Sequence, residues 1–179
     1  MRRELRFLLF AGLLAGAGCA SHQVVPIDLL DKGAAVKRPR CNARRTIRRL
    51  SLEPQQKLDQ LDRSVSAITT KFKEAGVSGW IDTGCDAEGA GVAVRDAAHS
   101  DNDFWTIDVQ LSGLRIGKVS APEGRFLRLE VWPKTPANAV ADRARIRKGT
   151  RLAFSGPVVI DEDGPFLEIH PGEGLRVLR

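Results

Sequence analysis

From Lys148 to Pro171 the chain reads KGTRLAFSGPVVIDEDGPFLEIHP, and no other stretch restricts the fold as strongly. Leu152 and Phe154 alternate with polar neighbours before Gly156, and Val158 and Ile160 resume the alternation after it. Period-two alternation is the mark of a half-buried strand, and a glycine inside it marks a bend or bulge. Asp161 to Gly164 then supplies a tight acidic turn, and Leu167 and Ile169 point inward from the strand that returns. The stretch therefore dictates a hairpin with one buried face, and its apolar residues assign it to scaffold.

The same period recurs upstream. Val77, Gly79 and Ile81 alternate with Ser78, Trp80 and Asp82 in a first strand, again with a glycine where a bulge fits. Trp105, Ile107, Val109 and Leu111 share one face of a second strand; Phe104, Thr106, Asp108 and Gln110 share the other. Leu127, Leu129 and Val131 face inward from a third, Phe126 to Trp132. Residues Thr83 to Asp103, rich in Gly, Ala, Asp and Asn, read as a continuation with irregular loops. The Ala-rich segment Pro136 to Ile146 suits a helix of two or three turns. Three strands, a helix and two strands, with glycine breaks in the first and fourth, predict a mainly β fold: a small closed Greek-key barrel of five strands over residues 77–179. Closure would remove exposed sheet edges.

The run KGTRLAFSGPV resembles the fourth strand of many OB-fold domains, and the likeness, architectural in kind, covers Val77 to Arg179. In outline the domain is also similar to small periplasmic OB-fold proteins of bacteria. What the resemblance implies is a binding face across strands two and three. On this chain that face would carry Thr106, Asp108, Gln110, Arg128, Glu130 and Trp132, with Trp80 beside them. Aromatic rings among polar groups suit stacking on sugars or bases, or a protein contact.

The first residues are of another kind. Arg2, Arg3 and Arg6 precede an apolar run from Phe7 to Leu14 and a small-residue tail, Ala15 to Gly18, ending at Cys19. This is an export signal over residues 1–18, and its apolar run is well short of the ~20 residues of a spanning helix. The AGC ending resembles the lipobox of bacterial lipoproteins, although Gly16 stands where that family usually places leucine. The resemblance implies acyl chains, palmitate among them, on Cys19, and several such chains anchor firmly where one does not. Ala20 is not the aspartate that commonly retains such proteins at the inner membrane, so the periplasmic face of the outer membrane is expected. Cys41 and Cys85 remain, an even pair in an exported chain, and are expected to form a disulfide. It would close a loop of about 45 residues and contribute on the order of 4 kcal/mol.

The net charge of +6 suggests nucleic acid, but its distribution argues otherwise. Residues 1–49 hold 11 Lys and Arg against 3 Asp and Glu, leaving the remainder slightly acidic, and 7 of the basic residues crowd into Lys37 to Arg49. With no basic groove, single-stranded nucleic acid is the alternative rather than the expectation. The basic run within residues 19–50 reads as a lipidated linker of low order, either solvated or strapped to lipid headgroups, lipopolysaccharide phosphates or an acidic wall polymer. Residues 51–76 follow as one amphipathic helix, capped by Ser51 and ended at Gly76, with Leu58, Leu61, Val65, Ile68 and Phe72 forming one stripe. That stripe packs on the barrel or joins a second copy weakly through residues 58–72.

Chemistry-bearing clusters are sparse. Asp82 with Asp86, His99 with Asp101 and Asp103, and Asp161 to Gly164 lack the full spacing of a calcium loop, so no metal or other cofactor is expected. Glu168 with His170, or His99 with Asp101, would supply base and partner for a metal-dependent hydrolase, but no Ser or Cys nucleophile stands in a recognisable elbow. The expectation is a non-enzymatic, lipid-anchored envelope protein whose barrel binds a protein partner or an envelope polysaccharide.

Overall fold

The computed structural model describes residues 38–54, 63–75, 79–99, 104–131, 146–161, 166–170 and 172–179. Among these residues two helices, α1 (Ala43–Arg48) and α2 (Arg63–Ala75), precede eight strands: β1 (Trp80–Ala93), β2 (Ala98–His99), β3 (Trp105–Ile116), β4 (Val119–Ser120), β5 (Phe126–Val131), β6 (Arg151–Asp161), β7 (Leu167–Ile169) and β8 (Glu173–Val177). Five of them close a ring. β1 pairs antiparallel with β3 and β6, β3 with β5, and β6 with β7, while β5 and β7 run parallel. The fold is mainly β, a closed five-strand Greek-key barrel of the OB-like kind with extra strands.

The barrel closes because β1 is long and irregular enough to serve two neighbours. It reaches Ala93, so residues read as loops continue the strand: side chains as small as Gly89, Ala90 and Gly91 let neighbouring strands come close. A Cβ on Gly91 would stand 2.4 Å from the Gln110 carbonyl oxygen, and one on Gly89 2.8 Å from that of Gly113. Against β6 the register slips between Asp82 and Cys85, which places Thr83 and Gly84 in a bulge. A second slip, opposite Ala90 and Gly91, lies at Ser112 of β3. It shifts the parity of β3, so Leu111 and Leu114 both reach the core.

The interior is filled by Ile107, Val109 and Leu111 from β3, Leu127, Leu129 and Val131 from β5, Leu152, Phe154, Val158 and Ile160 from β6, and Leu167 and Ile169 from β7. The inward residues expected of these strands are in that core, except that Trp105, assigned to the same face of β3, is only partly buried against it. The fifth strand, however, is divided. β7 runs along Val158 to Ile160, and β8 takes over along Leu152 to Ser155. Between them the Gly172 N–H donates to the Glu130 carbonyl at 2.7 Å, holding the break against β5.

The N-terminal part differs from the sequence reading. Residues 20–37 and the segment 136–145 lie outside the described residues, but 38–50 are ordered on the barrel rather than forming a loose linker. Arg38 Nε and Nη2 bond both oxygens of Asp82, at 2.7 and 3.1 Å, and Nη1 bonds Asp86 at 2.9 Å. These two carboxylates hold the Arg38 guanidinium above its usual range, chiefly through the Asp82 hydrogen bonds. The Cys41–Cys85 disulfide is formed. Asn42 caps α1 by accepting from the Arg45 N–H, and α1 buries Thr46 and Ile47. Ser51 is not a helix cap: its carbonyl accepts from the Phe126 N–H at 3.0 Å, extending the edge of β5. The second helix is confirmed over Arg63–Ala75. Its Val65 and Thr69 are buried and Ile68 packs against the core, so this part of the apolar stripe is used within one chain; Leu58, Leu61 and the Phe72 side chain lie outside the described residues.

Gly84 is where these elements meet. It has φ +72°, a left-handed backbone, and a Cβ there would lie 1.9 Å from the Pro39 carbonyl oxygen. Gly84→Ala is expected to lower unfolding free energy by more than the roughly 1–3 kcal/mol of a strained backbone alone, and urea unfolding with the disulfide intact measures it.

Candidate functional site

The registers align one row of outward residues around the barrel: Asp82 on β1, Val159 on β6, Glu168 on β7, Arg128 on β5 and Asp108 on β3. An outward row on a small barrel is ordinarily wet, yet here Asp82, Val159 and Glu168 are fully buried and Asp108 is 2% exposed. Buried charges persist only when paired, and the pairing is explicit. Arg128 Nε donates to Asp108 Oδ1 at 3.0 Å, and its Nη1 lies 3.8 Å from Glu168 Oε1. The Arg95 guanidinium closes on the other oxygen of Asp108, and Arg128 lies over the Phe166 ring at 4.4 Å.

Beside the row, His170 leaves β7 on the same face as Glu168. Its ring stacks on Trp80, centroids 4.0 Å apart, and Phe104 covers it at 4.6 Å. The Trp80 indole N–H donates to Glu168 Oε2 at 3.1 Å. His170 Nδ1 lies 3.2 Å from Glu130 Oε2, without hydrogen-bond geometry, and Nε2 has no partner among the described residues. Burial pushes the Glu168 carboxyl well above its usual range, and the nearby charges of Glu130 and Asp161 push the same way; Arg128 and the Trp80 N–H oppose them. Glu168 is therefore held towards its neutral form.

This cluster contains most of the face expected to bind. Asp108, Arg128, Glu130 and Trp80 are brought together, but against one another; Thr106 is half-buried, Gln110 is exposed, and Trp132 lies outside the described residues. The slit beside Asp108 and Arg128, bordered by Ser51, Pro54 and Phe166, holds about 10 Å³, at the lower limit of room for one water. No substrate fits there. The acidic pair Asp82 and Asp86 is occupied by Arg38, and Asp101, Asp103 and 162–164 lie outside the described residues. Among the described residues no three His, Cys, Asp or Glu side chains are placed to hold a metal ion.

Open space lies elsewhere, where β3, β1, β6 and β8 run side by side. A shallow groove of about 600 Å³ crosses their outer face and adjoins a second of about 430 Å³, both lined by Glu88, Arg115 and Ser155. Its floor is a register row without bulk: Gly113 faces Ala90, Ala90 faces Ala153, and Ala153 faces Arg176. The next row sets Arg115 against Glu88 in an exposed ion pair, and Glu88 against Ser155. Among the described residues β8 pairs only with β6, which leaves its other edge unpaired at one side of the groove that its Gly174 and Arg176 line. The sequence carried a faint signal of this, the small residues of GAGVA and LAFSG on adjoining strands, legible only once the register sets them in one row.

No protein-family model, curated protein or solved structure matches this chain.

Two substitutions test the buried row. A carboxyl whose folded pKa is raised binds more protons folded than unfolded, so its contribution is complete below its ordinary 4.5 and is lost as pH rises. Stability should fall from about pH 4.5 upward with a slope of at most about 1.4 kcal/mol per pH unit, and Glu168→Gln should flatten that fall while still accepting from Trp80. Urea unfolding between pH 4 and 8 measures both. Asp108→Ala strands Arg128 and should cost about 3 kcal/mol in the same assay.

Proposed function

We propose that this chain is an exported, lipid-anchored envelope protein whose barrel binds an extended segment of a protein partner in the β3–β1–β6–β8 groove. The observation that carries the binding reading is the open groove over Gly113, Ala90 and Ala153, bordered by β8, whose other edge no described strand pairs. An extended peptide laid across this face finds a floor without bulky side chains, which leaves room for its own, and backbone groups of β8 at one side of the groove. Rim charges of both signs, Glu88, Glu123, Arg115 and Arg176, suit a peptide better than a polyanion.

A polysaccharide is the weaker occupant. Sugar sites lean on a presented aromatic platform, and the Trp80 ring is stacked on His170 with its N–H committed to Glu168. Single-stranded nucleic acid is weaker still, because Arg128 is committed to Asp108 and Glu168. Export and anchoring are supported by the charged and apolar start, the AGC ending at Cys19, and the pairing of the two remaining cysteines.

A photoreactive residue at Ala153 should capture one protein in intact cells, and the same probe at Gln110 should not. Ala90→Trp fills the floor from the solvent side, so it should cut that capture at least about tenfold while changing stability by only about 0.5 kcal/mol. Equal capture at both positions, or a glycan adduct at Ala153, would remove the peptide reading.

A further inference from the structure

The segment that docks on β1 carries Arg38, Arg40, Arg44, Arg45, Arg48 and Arg49, and no Asp or Glu lies between residues 38 and 52. These arginines do different things. Arg38 is consumed by Asp82 and Asp86. Thr46 and Ile47 turn one side of α1 into the barrel, and this turns Arg44 and Arg48, one helical turn apart, outward. Arg40, Arg44 and Arg48 are all exposed, and none of their side chains has an ion pair among the described residues. Lys118, exposed in the turn before β4, extends the same side, because α1 packs against β4 as well as β1.

Two observations show that this positive charge is concentrated and fixed in place. The Arg49 guanidinium is held below its usual range, first by burial and then by the charge of Arg45. The element is also rigidly held: the disulfide at Cys41 and the Arg38 clamp fix its start, while Ile47 and Leu50 are buried beyond it. A solvated strap would have to be ordered on binding, whereas this face is ordered already.

We propose that the face made by Arg40, Arg44, Arg48 and Lys118 docks the barrel on an anionic, phosphate-bearing lipid surface. Guanidinium groups match phosphate oxygens bidentately, and their weak hydration favours close approach. A lipid surface is the partner of choice because Cys19 lies only 19 residues before Arg38, beside the patch, so a molecule tethered there has this side nearest its anchor along the chain. The orientation rests on the anchoring proposed above; the charge complementarity does not.

The full chain is titrated with vesicles of phosphatidylcholine alone and with vesicles that also contain phosphatidylglycerol, over a salt series. The ratio of the two affinities cancels any contribution of acyl chains or the apolar N-terminus, and intact mass reports acylation separately. The wild type should prefer the anionic vesicles, less so as salt rises. Arg40→Gln, Arg44→Gln and Arg48→Gln together should reduce that preference roughly a hundredfold, at about fivefold per charge near such a surface. Lysine at the same three positions should restore most of it. Arg147→Gln, Lys148→Gln and Arg179→Gln, which remove equal charge elsewhere, should change it less than twofold. Equal losses in the two triple variants would reduce the effect to net charge and overturn the proposal. So would an unchanged preference in the first. Circular dichroism and a retained disulfide confirm that each variant is folded.

Discussion

The bulge at Thr83 and Gly84 is the constraint on which the rest of this structure depends. A strand that must pair with β3 at one end and β6 along most of its length cannot stay flat, and two extra residues supply the bend. The bulge is held by its own side chains: Asp82 Oδ1 accepts from the Gly84 N–H at 2.7 Å, and Thr83 Oγ1 donates to the Val158 carbonyl at 2.6 Å. Because Gly84 has no Cβ, Pro39 can pass directly over it, which brings Cys41 to Cys85 and Arg38 to Asp82. Barrel closure and the docking of the N-terminal segment are thus one event, and that segment then supplies Ile47 and Leu50 to the core.

The buried row of charge follows a different logic. Replacing a buried ion pair with apolar residues is often neutral or stabilising, so the row from Asp82 to Asp108 is weak as a source of stability. What it provides is selection among registers. A slip of β5 or β7 by one residue would leave Arg128, Asp108 or Glu168 buried opposite an apolar group, at a cost of several kcal/mol. The parallel β5–β7 contact has only a short described register, Arg128 with Glu168 and Leu129 with Ile169, and it is pinned by seating Arg128 on Asp108 and the Glu168 carboxyl on the Trp80 N–H. Rigidity on this side leaves the small-residue groove on the other side as the surface free to meet a partner.

Alternation made most of the barrel readable. Ile107, Val109, Leu127, Leu129, Leu152, Phe154, Val158, Ile160, Leu167 and Ile169 are inward as the period requires, and the even pair of cysteines left after Cys19 pointed to the disulfide. Period two, however, says only which side of a sheet a residue takes. It cannot say whether loops cover the outer side, so Asp108, Arg128 and Glu130 read as a solvent face while Phe104, Phe166 and Arg95 enclose them. Bulges are similarly silent: the Gly-rich run after Ile81 resembles a loop until Gly89 and Gly91 are seen letting β3 and β6 approach. The basic tail misled by composition, since helix formation over Ala43–Arg48 is driven by the disulfide and by burial of Thr46 and Ile47 rather than by intrinsic preference.

The position of the disulfide also sets how the molecule would carry mechanical load. Cys85 lies near the bulge of a strand that is hydrogen-bonded along both edges. Tension applied to the chain before Cys41 passes through a covalent bond into β1, so neither α1 nor α2 lies on the load path. If the groove beside β8 holds a second anchorage, force crosses β6 and β1 as shear over many hydrogen bonds at once, not as the peeling of a terminal strand. The disulfide would then be the tie, and the barrel the rigid link between two attachments.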